Sequence, residues 1–329
     1  MGNAASAQQA QDLVQAALNG EVGNVTAMIK GGIAIESQDA AGNHALGAAA
    51  CGGWLELCQK LVEAGAPLEL KNQLGTTPLW LAAGCAAAQR RLQRRALALP
   101  HLPTPRRYGH KELLEYFISK GADVNAVPLP PPSSLLVWLL SEAQLRCVCA
   151  QGNLTNDTPM LAAASKNHPG CVEALVAAGA RHLIVNKSGD SPLSLACAMS
   201  SFAMAEMILP LPATKALINR KNEKGISPVT SAASAGNVQI MTALLAAGGD
   251  ATERDANGAT PLHLAAFCGQ EELVQMLLAV AGVEIECKDS TGATPLWLAA
   301  AGGHEQSLLV LIAAGGDQVR SSPNTMQML

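Results

Sequence analysis

A short motif, T/S-P-L-x-L-A, recurs along the chain and constrains the fold more than any other feature. The last four intervals between its prolines are 33, 36, 33 and 34 residues. Two degenerate copies precede these, at Ala45 and Asp12, each 33 residues before the next. A fixed period of this length predicts stacked supersecondary units, because one such unit cannot bury its apolar face alone. The six prolines are Pro78, Pro159, Pro192, Pro228, Pro261 and Pro295.

The residue pattern of each of the eight units predicts two helices. In the seventh, Thr260 is a suitable N-cap and Pro261 occupies the first helical position, where a missing N–H costs nothing. Gly269 separates the first helix from the second. The apolar residues of both helices follow the i, i+3, i+4 spacing: Leu262, Ala265 and Ala266, then Leu273, Met276 and Leu277.

These residues resemble the ankyrin repeat, most closely over 258–266 and 292–300. The resemblance implies an all-α ankyrin-repeat solenoid of about eight helix-turn-helix units with short β-turn fingers. We expect the repeat array to cover residues 8–321. We expect a flexible N-terminal tail over 1–7 and a disordered C-terminal tail over 322–329.

Composition excludes several classes of protein. The net charge of −4 gives no basic field for nucleic acid, so we expect no nucleic-acid partner. The longest apolar runs fall well short of the roughly 18 residues that a membrane span needs. The nine scattered cysteines indicate reduced thiols, and no secretion signal opens the chain, so we expect a cytoplasmic protein.

Two segments interrupt the period, at about 86–108 and 127–151. The first is rich in arginine and the second in proline. Three interpretations stay open: solvated loops without a role, imperfectly predicted coding sequence, or a basic segment that contacts an acidic partner or lipid headgroups.

The sequence predicts no catalytic, cofactor-binding or metal-binding residue. Ser191 lies in a Gly-Asp-Ser-Pro stretch, but by register it is an N-cap. His263, Trp80 and Trp297 share one motif position, for which we predict core packing. A zinc site drawn from two cysteines of the second insertion lacks the second cysteine pair of a finger or ribbon. Its four candidate ligands would be Cys147, Cys149, Cys171 and His168.

The N-terminus, MGNAAS, matches an N-myristoylation signal with Gly2 as the acceptor. One myristoyl chain gives only weak, reversible membrane binding. The sequence therefore predicts at most a transient peripheral membrane contact. That contact would use Gly2 with the basic residues Arg90, Arg91, Arg94 and Arg95.

Partners of ankyrin-repeat proteins usually contact the finger tips and the concave inner-helix positions. By register, the inner helices contribute Met199 and Phe267 as the larger apolar residues. The strip carries little charge, which suits a protein or peptide better than a polyanion. The tip residues are Gln73, Leu74, Thr76, Leu154, Thr155, Asp157, Lys187, Ser188, Asp190, Glu223, Lys224, Ile226, Ala256, Asn257, Ala259, Ser290, Thr291 and Ala293.

The leading hypothesis is a monomeric, non-catalytic adaptor or scaffold that binds another protein. A regulatory inhibitor that masks a surface of an enzyme or transcription factor is the second hypothesis. An enzyme with its site in the insertions is the third, and no group of residues supports it.

Overall fold

The computed structural model describes residues 2–84, 109–126 and 157–316, and all regular elements in these ranges are helices. In the first part of the chain they are α1 (Gly2–Leu18), α2 (Val22–Lys30), α3 (Ala45–Gly52), α4 (Leu55–Glu63), α5 (Pro78–Gly84), α6 (Gly109–Ser119), α7 (Pro159–Ser165) and α8 (Pro169–Ala177). The remainder are α9 (Pro192–Ala198), α10 (Phe202–Ile208), α11 (Lys215–Ile218), α12 (Pro228–Ala235), α13 (Val238–Ala246), α14 (Pro261–Phe267), α15 (Glu271–Leu278), α16 (Pro295–Ala301) and α17 (Glu305–Ala313).

The chain divides into two compact units, residues 1–187 and 188–329. In the first unit the inner helices α1, α3, α5 and α7 pack in series, and each contacts its own outer helix or that of the next pair. In the second unit α9, α12, α14 and α16 do the same, with α10, α13, α15 and α17 as outer helices. Four helix pairs per unit confirm the predicted all-α fold of helix-turn-helix repeats.

The inner helices of the proline-containing repeats begin at a Ser or Thr followed by proline, as the motif predicts, whereas α3 has His44 as its N-cap. Ser191 accepts a hydrogen bond from Ser194 N at 3.1 Å, and the Ser194 hydroxyl in turn accepts one from Ser191 N at 2.9 Å. Such a cap is worth about 0.5–2 kcal/mol. Ser191 is therefore an N-cap, as its register indicated. Caps of this kind also lie at Thr158, Ser227 and Thr294.

The N-terminal boundary differs from the expectation. Residues 2–7, which we expected to be part of a flexible tail, belong to α1, which runs from Gly2 to Leu18. Ala4, Ala5 and Ala7, with Gln8 and Gln9 directly after them, are strong helix formers, so the helix extends beyond the repeat motif. Both insertions and the C-terminal tail lie outside the described residues.

Side chains at the turn between inner and outer helices link neighbouring pairs within each unit. The residue that caps an outer helix donates a hydrogen bond to a backbone carbonyl at the end of the preceding pair's inner helix. A glycine makes room for it: a Cβ on Gly269 would collide with the ring of His304. The bonds run from Trp54 Nε1 to the Leu18 carbonyl at 2.9 Å, from Asn237 Nδ2 to that of Ser200 at 3.3 Å and from His304 Nε2 to that of Phe267 at 2.8 Å.

Ser307 breaks the pattern of the outer helices. It is 1% exposed and its Oγ has no hydrogen-bond partner, whereas Leu273 and Ile240 fill the equivalent buried positions. A buried hydroxyl without a partner retains its desolvation penalty.

We expect Ser307→Ala to raise the free energy of unfolding of the second unit by about 1 kcal/mol, measured by urea unfolding. Ser234→Ala, on the exposed face of α12, is the control and should change it by less than about 0.5 kcal/mol. An unchanged or lower stability for Ser307→Ala would contradict the expectation.

Candidate interaction surface

The loops before the inner helices form fingers of five residues with one recurring geometry. In the last finger, Asp289 Oδ1 accepts hydrogen bonds from Thr291 N at 2.8 Å and Ala293 N at 2.9 Å, and Gly292 has φ +84°. Burial alone would raise the pKa of Asp289, but the Thr291 hydroxyl and these two N–H groups outweigh it and lower the pKa. The same pair of bonds closes the fingers that begin at Asp39, Asn72, Asn222 and Asp255.

Neighbouring fingers are joined through their backbones. The second residue of one finger donates its N–H to the carbonyl of the third residue of the preceding finger. This bond uses no side chain. At one place a tip side chain adds to it, because Gln73 Nε2 donates to the Ala40 carbonyl of the preceding finger at 3.0 Å. The bonds are Gln73 N to Ala41 O at 3.4 Å, Glu223 N to Ser188 O at 2.9 Å and Ser290 N to Asn257 O at 2.9 Å.

The second and third finger positions lie at the surface. Leu74 and Ser188 are half-buried. The other predicted tip residues at these positions are exposed: Gln73, Lys187, Glu223, Lys224, Ala256, Asn257, Ser290 and Thr291. Leu154 and Thr155 lie outside the described residues. Their role in binding stays a prediction.

The fifth finger position does not lie at the tip. Ala293 closes its finger by accepting a hydrogen bond from Asp289 N at 3.0 Å, and its side chain turns into the stack. The side chains at this position are therefore unsuited to bind a partner, contrary to the sequence-based assignment. Thr76, Asp157, Ala259 and Ala293 are buried, and Asp190 and Ile226 are half-buried.

On the inner helices of the second unit, two large apolar side chains stand out from a background of small residues. Met199 is 44% exposed and Phe267 is 57% exposed. On the other inner helices of this unit, the positions equivalent to Phe267 hold Ala198, Ser234 and Ala301, and those equivalent to Met199 hold Ala235, Cys268 and Gly302. No inner helix of this unit contains a charged residue.

Both ring nitrogens of His263 make hydrogen bonds, one of them to the next repeat, so it is not available as a base. Its Nδ1 accepts from Thr260 N at 3.2 Å, and its Nε2 donates to the Ala293 carbonyl of the next repeat at 3.1 Å. Burial lowers its pKa. Trp80 holds the same motif position and donates from Nε1 to the Asp157 carbonyl at 2.7 Å.

A small cavity of about 300 Å³ lies beside this histidine, lined in part by Arg254, Glu284 and Cys287. Cys287 Sγ is 3.7 Å from both His263 Nδ1 and Thr260 Oγ1. Burial raises the pKa of the Cys287 thiol, and the histidine nitrogen already accepts a backbone hydrogen bond. Since the thiolate is the nucleophilic form, this pair lacks the chemistry of a cysteine nucleophile.

Two of the residues drawn into the zinc hypothesis are described. Cys171 is buried, burial raises the pKa of its thiol to about 12, and His168 is 9% exposed. Cys147 and Cys149 lie outside the described residues. Within residues 2–84, 109–126 and 157–316, no three His, Cys, Asp or Glu side chains come together as metal ligands.

The membrane hypothesis involves residues that the structure describes only in part. Gly2 is the first residue of α1. The arginines at 90, 91, 94 and 95 lie outside the described ranges. Among the helices that the structure describes, none combines the length and apolar character required to span a bilayer.

Comparison with known proteins agrees with the repeat geometry. A family model described as ankyrin repeats in three copies matches residues 132–222 and 210–289. The first match begins inside the segment 127–151 that we expected to be an insertion. No curated protein matched the chain. Ankyrin repeats are protein–protein interaction modules, and helix pairs, closed fingers and the family match together make this chain an ankyrin-repeat protein.

Proposed function

We propose that the protein is a non-catalytic adaptor or scaffold that binds a protein partner through its finger tips and inner helices. One observation supports the proposal: most tip side chains are exposed, and the bonds that recur between neighbouring fingers are made by the backbone, with one added side-chain bond from Gln73 to the Ala40 carbonyl. Exposed residues that the fold does not need are free to be used for recognition.

The composition of the inner helices supports a protein ligand. In the second unit these helices carry no charge and expose Phe267 and Met199. Depletion of charge with exposed aromatic and methionine side chains is typical of the centre of a protein interface. A phosphate backbone would need lysines and arginines that these helices lack.

The test is capture of a partner by wild-type protein and by a tip variant that combines Lys224→Glu, Asn257→Lys and Thr291→Lys. We expect affinity for the captured partner to fall at least about tenfold, because like charges and lost contacts at an interface act on the complex and not on the fold. A matched variant on outer helices, Glu206→Lys with Gln275→Lys, should bind normally. Equal binding by wild type and tip variant would contradict the proposal, provided both melt at the same temperature.

The membrane tether is a separate part of the proposal. N-myristoylation of Gly2 would give weak, reversible attachment. We expect Gly2→Ala to remove a myristate label from protein expressed with myristoyltransferase and to lower the membrane-bound fraction in a flotation assay. Intact-mass spectrometry that finds no acyl group on the wild-type chain would contradict this part alone.

A further inference from the structure

The C-terminal repeats carry an apolar patch on their inner helices, which we call the Phe267 patch. It comprises Leu264 and Phe267 of α14, the C-cap residue Cys268 that follows them, and Leu298 and Ala301 of α16; the two helices pack side by side. Phe267 is 57% exposed, Ala301 is exposed and the other three are half-buried. Within each helix these residues are spaced i, i+3, i+4 or i, i+3, so they share one face.

Carboxylates border this patch at the turn between inner and outer helices. Glu271 and Glu272 begin α15 directly after that turn, and Glu305 begins α17. His304, next to Glu305, donates its Nε2 hydrogen to the Phe267 carbonyl at 2.8 Å, which places the start of α17 against the end of α14. Glu272 and Glu305 are exposed and Glu271 is half-buried.

Within the described residues 258–316, carboxylates outnumber basic side chains. Residues 258–316 contain six carboxylates and one Lys or Arg, Lys288, which directly precedes the finger at Asp289 and not the helix turn. The border is therefore acidic on the side where Phe267 lies. An anionic membrane surface or a nucleic acid would be repelled from it.

We propose that the Phe267 patch binds a basic peptide segment of a partner protein. An aliphatic or aromatic side chain of the segment packs on Phe267, and lysines or arginines a few residues away pair with Glu271, Glu272 and Glu305. The inference rests on the proposed function and gives the partner's chemistry at this end of the surface. Apolar anchors with charged neighbours at the rim are the usual anatomy of such contacts.

The carboxylates also have a local role, which the test must separate. Acidic residues in the first turn stabilise a helix by about 0.3–1 kcal/mol through the macrodipole. Helix stabilisation explains why glutamates begin α15 and α17. It does not explain why Phe267, at the end of α14, is largely exposed. The Phe267 variant and the glutamate variants must therefore each be compared with wild type in peptide affinity and in melting temperature.

The experiment is selection of peptides from a random 12-residue display library on the full-length protein, followed by affinity measurement with a fluorescent copy of the most enriched peptide. We expect peptides with positive net charge and an apolar residue within a few positions of lysine or arginine. Phe267→Ser should raise the Kd at least about 30-fold, as loss of a central anchor does. The double variant Glu272→Lys, Glu305→Lys should raise it about tenfold and abolish its increase with salt.

The controls are Leu309→Ser, which removes a 51% exposed side chain of α17 outside the patch, and Glu206→Lys on α10. Both should leave the Kd within about twofold. Enrichment of acidic or neutral peptides, equal binding by Phe267→Ser, or no enrichment at all would overturn the inference. A natural partner that is lost with the tip variant but bound normally by Phe267→Ser would overturn this inference and leave the proposed function standing.

Discussion

Trp80→Ala is expected to lower the free energy of unfolding of the first unit by about 3–5 kcal/mol. The indole is 3% exposed, and it packs with Cys51, Leu81 and Ala162 in one buried cluster. Its Nε1 donates to the Asp157 carbonyl at 2.7 Å, so it ties α5 to the finger before α7 across 77 residues of sequence. Removing it creates a cavity and deprives a buried carbonyl of its donor.

Trp297 provides the matched control, because it has the same motif position in α16. It is half-buried, and its indole has no comparable bond to any residue of 157–316. We expect Trp297→Ala to lower the stability of the second unit by about 1–2 kcal/mol. Urea unfolding followed by far-UV circular dichroism, with hydrogen exchange to locate the change, measures both. If Trp80→Ala and Trp297→Ala lower stability by similar amounts, the hydrogen bond from Trp80 to the Asp157 carbonyl contributes little to stability.

Acidification from pH 8 to pH 5 is expected to destabilise both units, through His44 in the first and His263 in the second. Burial lowers the pKa of His44 and of His263 below the ordinary value of about 6.5. Below that value the unfolded chain binds protons that the folded chain does not. Stability is therefore complete above about pH 6.5 and falls at lower pH, by up to about 1.4 kcal/mol per pH unit for each histidine.

The geometry explains why these rings resist protonation. His44 Nδ1 accepts from Gly47 N at 3.1 Å and Nε2 donates to the Leu70 carbonyl at 2.8 Å, so a second ring proton would remove an acceptor. In the His263→Gln variant, the second unit should no longer lose stability between pH 6.5 and pH 5, while the first unit should still lose it. Asp289 stays ionised over this range, because its pKa is lowered. A His263→Gln variant with an unchanged acid response would place the titrating group elsewhere.

The period of the motif was sufficient to predict the helix pairs, the caps and the fingers, because these depend on local residue type. It could not predict which finger side chains face outward. Asp190 and Asp157, at the fifth finger position, are residue types typical of a surface loop, yet Asp190 is half-buried and Asp157 is buried. The small residues Ala259 and Ala293 at this position were the available signal. Both are buried, in contrast to the exposed second and third positions.

Residues with identical motifs also differ for reasons that no local pattern contains. Trp80 and Trp297 lie in the same six-residue motif, TPLWLA. Trp80 donates its indole N–H to the Asp157 carbonyl of the next repeat, and Trp297 has no such bond to a described residue. The helical start at Gly2 was missed for a different reason: the repeat register ends before it, and helix propensity alone extends α1.

The backbone bonds between fingers have a practical meaning for engineering and for divergence. Since the amide groups make the recurring connection, side chains such as Ala256, Asn257 and Ser290 can be substituted at little structural cost, whereas Thr291 and Gln73 also make side-chain hydrogen bonds within or between fingers. A library randomised at Ala256, Asn257 and Ser290 should therefore yield folded proteins with new specificities. After gene duplication, a copy could acquire a new ligand in the same way, by substitutions at exposed finger residues that leave the fold unchanged.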